Sequence, residues 1–250
     1  MKLQKYRRDS EFSYAMGATL VAELLKTYPG AITRVFLRPT DRQGDDLKKI
    51  IGELKSRNIE IIESTKAFNI MGAKDNCLLM AEFLKSGIHD DNIYNVPSGF
   101  FSDITLVHPS DAGNLGTIMR SAVAFGFGFL NIIEPAIDPF DPKVIRASMG
   151  AIFHLETSTF SEEEFYDFER LGKQQFAFVL NDKAQPLETI DASQYKHADI
   201  SLIFGNEAAG LPADFCEKTG ATPVFIQQSE DVDSLNLGVA ASISMHHFRR

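Results

Sequence analysis

The spacing of apolar residues over the first 95 positions predicts a small unit of alternating helices and strands. The first helix covers about 17–28, where apolar residues recur on one stripe and Pro29 and Gly30 end the run. A second helix has its apolar positions spaced as one buried face, at Leu47, Ile50, Ile51 and Leu54. Short apolar runs predict strands over 33–37, 59–62 and 76–83.

The second part of the chain alternates more regularly. Strands are predicted over 104–108, 130–133, 176–180, 201–204 and 223–226, and helices over 114–125, 142–149, 161–171 and 234–248. In the helix at 114–125 we expect four buried residues, Ile118, Met119, Ala122 and Val123. Ser161 and Glu164 have the spacing of a capping box, and Asp233 or Ser234 is expected to cap the last helix. This alternation is typical of a mostly parallel sheet covered by helices.

Between these parts lies a polar stretch, from Lys85-Ser86-Gly87 to Pro97-Ser98-Gly99, that we interpret as a linker. The predicted domains are therefore 1–95 and 96–250. Residues 1–95 carry 15 Lys and Arg against 13 Asp and Glu, whereas the rest carries 10 against 21. The first domain is thus the one suited to approach a polyanion, unless both surfaces are simply solvated.

Composition excludes several other classes of protein. With 44% hydrophobic and 24% charged residues the chain is typical of globular proteins, and no apolar stretch approaches the ~20 residues of a membrane helix. Cys77 and Cys216 are far apart and suggest free thiols in a reducing compartment. The charged N-terminus has no apolar run behind it. We expect a cytoplasmic protein.

Metal binding is not expected, because the six histidines show no ligand spacing. We interpret His108, at the end of a predicted strand, as a structural histidine.

Three polar, glycine-containing segments follow predicted strands, where ligands of open parallel sheets gather. They are His108 to Arg120, Leu202 to Pro212 and Val224 to Ala241. Helix capping is the alternative explanation for Asn114, and a surface salt bridge for Arg120. Glu207, directly after a buried strand, needs either an arginine partner or a ligand, and the sequence leaves both open.

In this order and spacing the segments resemble the three motifs of the SpoU (TrmH-like) branch of the SPOUT RNA methyltransferases. The matching runs are Asn114-Leu115-Gly116-Thr117-Ile118-Met119-Arg120, then Gly205-Asn206-Glu207-Ala208-Ala209-Gly210-Leu211, then Ser234-Leu235-Asn236. Residues 146–151 also resemble the Arg-x-Ser-x-Gly-Ala stretch of the family, and the first domain resembles its small ribosomal-protein-like substrate-binding domain. The chain departs from the family pattern at Gln227, Gln228 and Glu230.

The resemblance implies an α/β fold whose C-terminal segment forms a deep trefoil knot, with helices on both faces of the sheet. It implies S-adenosylmethionine held by the loops after three strands, with S-adenosylhomocysteine as product. We carry the cofactor contacts to Leu180, Gly205, Ile226 and Leu235, and also to Asn181, Asn206 and Gln228. It further implies a homodimer that completes each active site across the interface.

The implied reaction is methylation of a ribose 2′-hydroxyl. A ribose hydroxyl needs its proton removed, and the family places an arginine in that role, here Arg120. Since an arginine with a pKa above ~12 is a poor base, phosphate positioning is the alternative role. Asn114, Glu207, Ser234 and Asn236 would organise the site.

The sequence also bears on three other functions. A dinucleotide enzyme is disfavoured, because no Gly-x-Gly-x-x-Gly follows a strand. A methyltransferase acting on tRNA and a catalytically inactive RNA-binding protein with the same fold stay open. The extra first domain favours large-subunit ribosomal RNA as substrate, by analogy alone.

Overall fold

The computed structural model describes residues 3–40, 44–88, 102–167, 173–196 and 198–249. The chain separates into two compact units. The N-terminal unit contains residues 1–93 and 138–153, and the C-terminal unit contains 94–137 and 154–250. The predicted boundary at 95/96 and the predicted linker from residue 89 onwards lie outside the described residues.

The N-terminal unit is built on a four-stranded sheet with the order β1-β4-β2-β3. Its elements are β1 (Phe12–Met16), α1 (Ala18–Thr27), β2 (Ile32–Leu37), α2 (Asp45–Ser56), β3 (Ile61–Glu63), α3 (Thr65–Met71) and β4 (Leu79–Leu84). The β1–β4 and β2–β4 pairs are antiparallel, and β2–β3 is parallel. On α2 only Leu47 and Leu54 are buried, while Ile50 and Ile51 are half-buried.

Two elements of this unit escaped the sequence analysis. Strand β1 is buried at its three central residues, Ser13, Tyr14 and Ala15, so it shows no alternation of polar and apolar positions. Helix α3 has only about two turns, and Ser64 caps it by accepting a hydrogen bond from Ala67 N at 3.2 Å. Both elements lie below the length at which periodicity is readable.

Residues 138–153 belong to the N-terminal unit, although the sequence analysis placed them in the second domain. Their helix α5 (Pro142–Ala147) packs on β1. The ring of Phe83 contacts Phe140 and Phe153, at centroid distances of 6.5 and 5.7 Å. Ser13 Oγ donates to Phe140 O at 2.6 Å. Burial of these aromatic rings explains why the segment groups with the first part of the chain.

A buried ion pair lies within the four-stranded sheet. Arg34 binds Glu82 through two hydrogen bonds of 2.9 Å, one from Nε to Oε1 and one from Nη2 to Oε2. Tyr14 and Thr33 each donate a further hydrogen bond of 3.1 Å to the carboxylate. Glu82 is 3% exposed and Arg34 8%. The carboxylate and the guanidinium lose their hydrogen bonds to water on burial. They replace them with hydrogen bonds to each other, and the carboxylate gains two more from the hydroxyls of Tyr14 and Thr33.

The C-terminal unit is built on a seven-stranded sheet with the order β7-β6-β5-β10-β8-β11-β9, and its registered pairs are parallel. Its strands are β5 (Asp103–Val107), β6 (Phe129–Ile133), β7 (Glu156–Phe160), β8 (Gln174–Phe178), β9 (Gln185–Pro186), β10 (Ile200–Phe204) and β11 (Thr222–Phe225). Its helices are α4 (Ala112–Phe125), α6 (Glu162–Asp167), α7 (Phe215–Thr219) and α8 (Leu237–His247). This mostly parallel α/β architecture confirms the predicted fold class, whereas the knot stays a prediction.

Several local expectations for this unit are corrected or confirmed. Strand β7 was missed because it is a polar edge strand with no fully buried residue. Val123 was expected to be buried but is 38% exposed. The capping box is confirmed, since Ser161 N donates to Glu164 Oε2 at 2.7 Å and Glu164 N donates to Ser161 Oγ at 3.2 Å.

No helix within the described residues has the length and apolar character needed to cross a membrane. Within the same ranges, no three or more His, Cys, Asp and Glu side chains are grouped so as to hold a metal ion.

The buried ion pair generates a stability prediction. We expect Glu82→Ala to lower the free energy of unfolding by about 3–5 kcal/mol, because Arg34 would remain buried without its partner. Glu53→Ala is the matched control, since it removes an exposed pair with Arg57 at 3.0 Å and should cost less than about 0.5 kcal/mol. Urea unfolding of wild type and both variants measures these free energies. Equal free energies of unfolding for Glu82→Ala and Glu53→Ala would contradict the expectation.

Candidate active site

Four neighbouring strands of the C-terminal unit end at one edge of the sheet. Leu106 of β5 is in register with Phe204 of β10, Phe204 with Phe178 of β8, and Phe178 with Val224 of β11. Adjacent strands lie about 4.8 Å apart. The loops after these strands, which carry the three motifs and Leu180, therefore begin side by side.

The carboxylate of Glu207 connects the loop after β10 with the loop after β5. Its Oε2 accepts from Ser110 N at 3.3 Å and from Ser110 Oγ at 2.9 Å. Its Oε1 accepts from Asp111 N and Asn114 Nδ2, both at 3.2 Å. The sequence left an arginine or a ligand as partner of Glu207, and in the structure its partners are backbone amides, a hydroxyl and the side-chain amides of Asn114 and Asn206.

These donors decide the charge state of Glu207. Burial raises the pKa of the carboxyl, but hydrogen bonds from its own amide, Asn114, Ser110 and Asp111 outweigh that effect and leave the pKa below its usual range. Glu207 is therefore ionised at neutral pH, and its oxygens are occupied as acceptors. It is suited to hold the two loops together rather than to take a proton.

Asn114 extends this network to the last helix. Asn236 Nδ2 donates to Asn114 Oδ1 at 2.9 Å. Asn114 is not the cap of α4, because Asp111 Oδ1 accepts from Asn114 N at 2.7 Å and leaves the Asn114 side chain available. The side chains of Asn114, Glu207 and Asn236, one from each motif, thus form a single hydrogen-bonded cluster.

The last helix begins later than the sequence analysis expected. Its cap is Asn236, whose Oδ1 accepts from Val239 N at 3.3 Å, and not Asp233 or Ser234. Asn236 can do both tasks because its carbonyl oxygen caps the helix while its amide nitrogen binds Asn114. Ser234 is exposed, two residues before the cap.

The segment after β10 forms a tight turn. Asn206 and Gly210 exchange two backbone hydrogen bonds of 3.1 and 2.9 Å, and Asn206 Oδ1 accepts from Ala208 N and Ala209 N. A Cβ atom on Gly205 would collide with the backbone of Gly210 and Leu211. Gly205 is therefore required by the close approach of the turn's own two arms.

Other residues predicted to bind the cofactor lie beyond the neighbouring strands. The ladder between β8 and β11 ends with Val179 N donating to Val224 O at 2.9 Å, so Leu180 and Ile226 lie past it. Leu180 is 61% exposed, and Ile226 and Leu235 are half-buried.

Two polar side chains shape the loops in which these residues lie. Asn181 Oδ1 accepts from Lys183 N at 3.0 Å in the loop after β8. Gln228 Nε2 donates to Val232 O and Asp233 O, both at 3.3 Å, in the loop that leads to Asn236. Gln228 thus has a local role in holding its own loop.

Arg120 is not part of the hydrogen-bonded cluster. It follows Asn114 by six residues on α4, which places it about 9 Å further along the helix and about 120° around it. Its side chain is exposed, and within the described ranges no hydrogen bond or ion pair is assigned to it. The surface salt bridge considered as an alternative is therefore not observed there.

Helices α4 and α8 pack closely, which fixes the position of Asn236. Ser121 Oγ and Ser242 Oγ lie 2.7 Å apart. A Cβ atom on Gly238 would lie 3.3 Å from Thr117 Cβ, so the helices approach at small residues. Ser110 and Asp111 were not predicted as partners of Glu207, although both lie inside the first polar segment, His108 to Arg120.

Comparison with known proteins shows the family of this chain. The model of the SpoU rRNA Methylase family matches residues 103–246, more than half of the chain. The chain belongs to the SpoU rRNA Methylase family.

Individual relatives cover this chain to different extents. A 23S rRNA (guanosine(2553)-2′-O)-methyltransferase of Bacillus subtilis is 31% identical over 140 residues, which are 56% of this chain and 54% of the relative. A tRNA/rRNA methyltransferase of Synechocystis, uncharacterised, is 32% identical over 59% of this chain and 52% of its own. The chain spans about half the length of these curated relatives.

Solved structures match over nearly the whole chain. The AdoMet-bound rRNA methyltransferase of Sinorhizobium meliloti has a TM-score of 0.77 and 27% identity, covering 96% of this chain and 87% of its own. The AdoMet complex of AviRb from Streptomyces viridochromogenes has the same TM-score at 20% identity, covering 95% and 89%, and shows the likeness of fold alone.

The lowered pKa of Glu207 gives a prediction about acid stability. The ionised carboxylate stabilises the fold above the ordinary glutamate pKa of ~4.3, and this contribution is lost as the pH falls through the lower folded pKa. We expect Glu207→Gln to cost about 1 kcal/mol at neutral pH, because an amide offers one acceptor oxygen to these donors.

Unfolding free energies of wild type and Glu207→Gln, measured from neutral pH into the acid range, test this prediction. The difference between the two proteins should shrink below about pH 4. A difference that stays constant down to acid pH would contradict it. Glu188→Gln, a change of an exposed glutamate elsewhere in the unit, serves as control.

Proposed function

We propose that this protein transfers a methyl group from S-adenosylmethionine to a ribose 2′-hydroxyl of structured RNA, with ribosomal RNA as the preferred substrate. The observation that carries the proposal is the cluster of Asn114, Glu207 and Asn236, which joins the three family motifs by hydrogen bonds. Membership of the SpoU rRNA Methylase family supports it.

The loops beyond β8, β10 and β11 fit a cofactor held through the main chain. Leu180 and Ile226 lie beyond the last ladder hydrogen bond, and Leu180 is 61% exposed. We assign the main-chain contacts to Leu180, Gly205, Ile226 and Leu235. When bound, S-adenosylmethionine would supply a methyl group that its sulfonium makes electrophilic. We assign orientation of the loops to three side chains, Asn181, Asn206 and Gln228.

The protein's task is then to orient the ribose and to assist the loss of its proton. The bond that forms joins the ribose O2′ to the methyl carbon, the carbon–sulfur bond breaks, and S-adenosylhomocysteine leaves. Glu207 is already saturated by donors and is unsuited as base. Arg120 is exposed and available to an RNA phosphate, so we assign it to positioning that phosphate and stabilising the developing charge, while the ribose proton passes to water. Ser234 lies in the adjoining loop.

We assign substrate binding to the N-terminal unit, residues 1–93 and 138–153, and methyl transfer to the C-terminal unit. Residues 1–95 have a small excess of basic over acidic residues, while 96–250 have a large acidic excess. Phosphate contacts favour the first part. The cytoplasm is the proposed location.

A homodimer through α4 and α8 is also proposed. Three exposed aliphatic residues lie on these two packed helices, Val123, Val239 and Ile243, with exposures of 38, 47 and 41%. Arg120 lies about 9 Å along α4 from Asn114, and we propose that it completes the cluster of the second copy across this interface.

The first test is calorimetric titration with S-adenosylmethionine, followed by transfer of labelled methyl to ribosomal RNA and, separately, to tRNA. Arg120→Ala should reduce turnover by at least about 100-fold, while cofactor affinity and mass in solution stay near wild type. Arg57→Ala, at an exposed pair in the N-terminal unit, is the control. Full turnover of Arg120→Ala would remove the assignment of Arg120.

Binding and transfer also separate the alternatives. No cofactor binding, with or without RNA, would overturn the methyltransferase and leave an RNA-binding protein. Transfer to tRNA but not to ribosomal RNA would change the substrate.

For the dimer, Ile243→Glu should convert the protein to a monomer, because burying a charge at an apolar interface is unfavourable. Light scattering after size exclusion gives the mass. Met149→Glu, at an apolar residue of the N-terminal unit that is 51% exposed, is expected to leave the mass unchanged. A wild-type protein that is monomeric at high concentration would exclude the dimer.

A further inference from the structure

His108 holds an unusual backbone conformation at the edge of the candidate site. It directly follows β5 and has a φ of 55°, in the left-handed region. Residues other than glycine rarely adopt this region, although histidine is among the more tolerant. Pro109 follows, and a proline further restricts the residue before it. Contacts of His108 with its surroundings must therefore stabilise the turn.

The backbone of His108 is fixed from two sides. Its N donates to Ile133 O at 3.0 Å, at the end of the neighbouring strand β6. Its carbonyl accepts from Asn206 Nδ2 at 2.7 Å. That bond sets the orientation of the Asn206 amide, whose oxygen holds the amides of Ala208 and Ala209. The carbonyl of His108 thus supports the tight turn that presents Glu207.

The chain direction after His108 has a second consequence. The next residues, Ser110 and Asp111, point their amides at the Glu207 carboxylate. A rotation of the backbone at His108 would move these amides and the His108 carbonyl together. Both sides of the Glu207 network therefore depend on one φ angle.

The imidazole of His108 makes the side-chain contact that can hold this φ angle. Its Nε2 is buried and lies 3.0 Å from Oε1 of Glu162. Glu162 is the first residue of α6, and the Ser161–Glu164 capping box orders the start of that helix. The close contact with Glu162 restrains the side chain of the residue that forms the turn.

We infer that His108 is a positioning residue for methyl transfer, held by Glu162 so that its left-handed turn places Asn206 and Glu207. This inference rests on the proposed function for its effect on catalysis. The geometry itself belongs to the C-terminal unit and can be tested apart from catalysis.

The experiment separates the turn from the side-chain contact. His108→Gly keeps easy access to positive φ but loses the imidazole, whereas His108→Ala loses both. His108→Asn is the conservative variant, since asparagine tolerates this region. We expect His108→Ala to lose affinity for S-adenosylmethionine by about tenfold or more, and His108→Asn and His108→Gly to recover most of it.

Glu162→Ala tests the side-chain contact, with Glu163→Ala as its exposed neighbour and control. Glu162→Ala should weaken binding of S-adenosylmethionine, whereas Glu163→Ala should not. In a His108→Gly/Glu162→Ala double variant, the loss of affinity should be little larger than in either single variant. A purely structural role would lower thermal stability without this order of affinities. Equal affinities of His108→Ala and wild type, or of His108→Ala and His108→Gly, would overturn the inference.

Hydrogen exchange of residues 105–116 and 204–212 gives a readout that needs no cofactor. Exchange in both segments should be faster in His108→Ala than in His108→Gly. If wild type fails to bind S-adenosylmethionine, the proposed function fails, yet this comparison still tests the positioning role. Unchanged exchange in both segments would overturn it.

Discussion

The carboxylate of Glu207 is the interaction on which the candidate site depends. Four hydrogen bonds join it to the loop after β5, and Asn114 carries the connection to the cap of the last helix. A carboxylate that stays accessible to water loses little hydration energy when neutral groups donate to it. Its two oxygens accept hydrogen bonds from several directions at once. Segments about a hundred residues apart are thereby held in one arrangement, which no apolar contact would specify as sharply.

The sequence predicted which segments meet, but not how they bond. Strands with buried, apolar runs and a polar residue at the end predict an edge where loops converge, and Asn114, Glu207 and Asn236 do converge. The partners of Glu207 were out of reach, because several of its donors are backbone amides, and any residue supplies an amide. The helix cap was misplaced because Asp233, Ser234 and Asn236 are all good caps, and only packing selects one.

The fold was readable where its signals are periodic and long. Helices α1 and α2 and the apolar strands of the second unit follow from their spacing, while β1 and β7 do not. Strand β7 is polar because it is an edge strand, and β1 is buried throughout its centre. The return of residues 138–153 to the N-terminal unit depends on aromatic contacts of Phe83, which join positions distant in sequence and leave no local pattern.

The grouping of residues 138–153 with the N-terminal unit has a consequence for synthesis on the ribosome. The N-terminal unit is encoded in two pieces, so residues 1–93 emerge before the segment that covers Phe83. Until residue 153 has left the exit tunnel, this aromatic ring lacks its partners and part of the apolar core stays open to water. The unit that is made first is therefore completed late, in the middle of translating the second, and the nascent chain carries an unfinished hydrophobic surface in that interval.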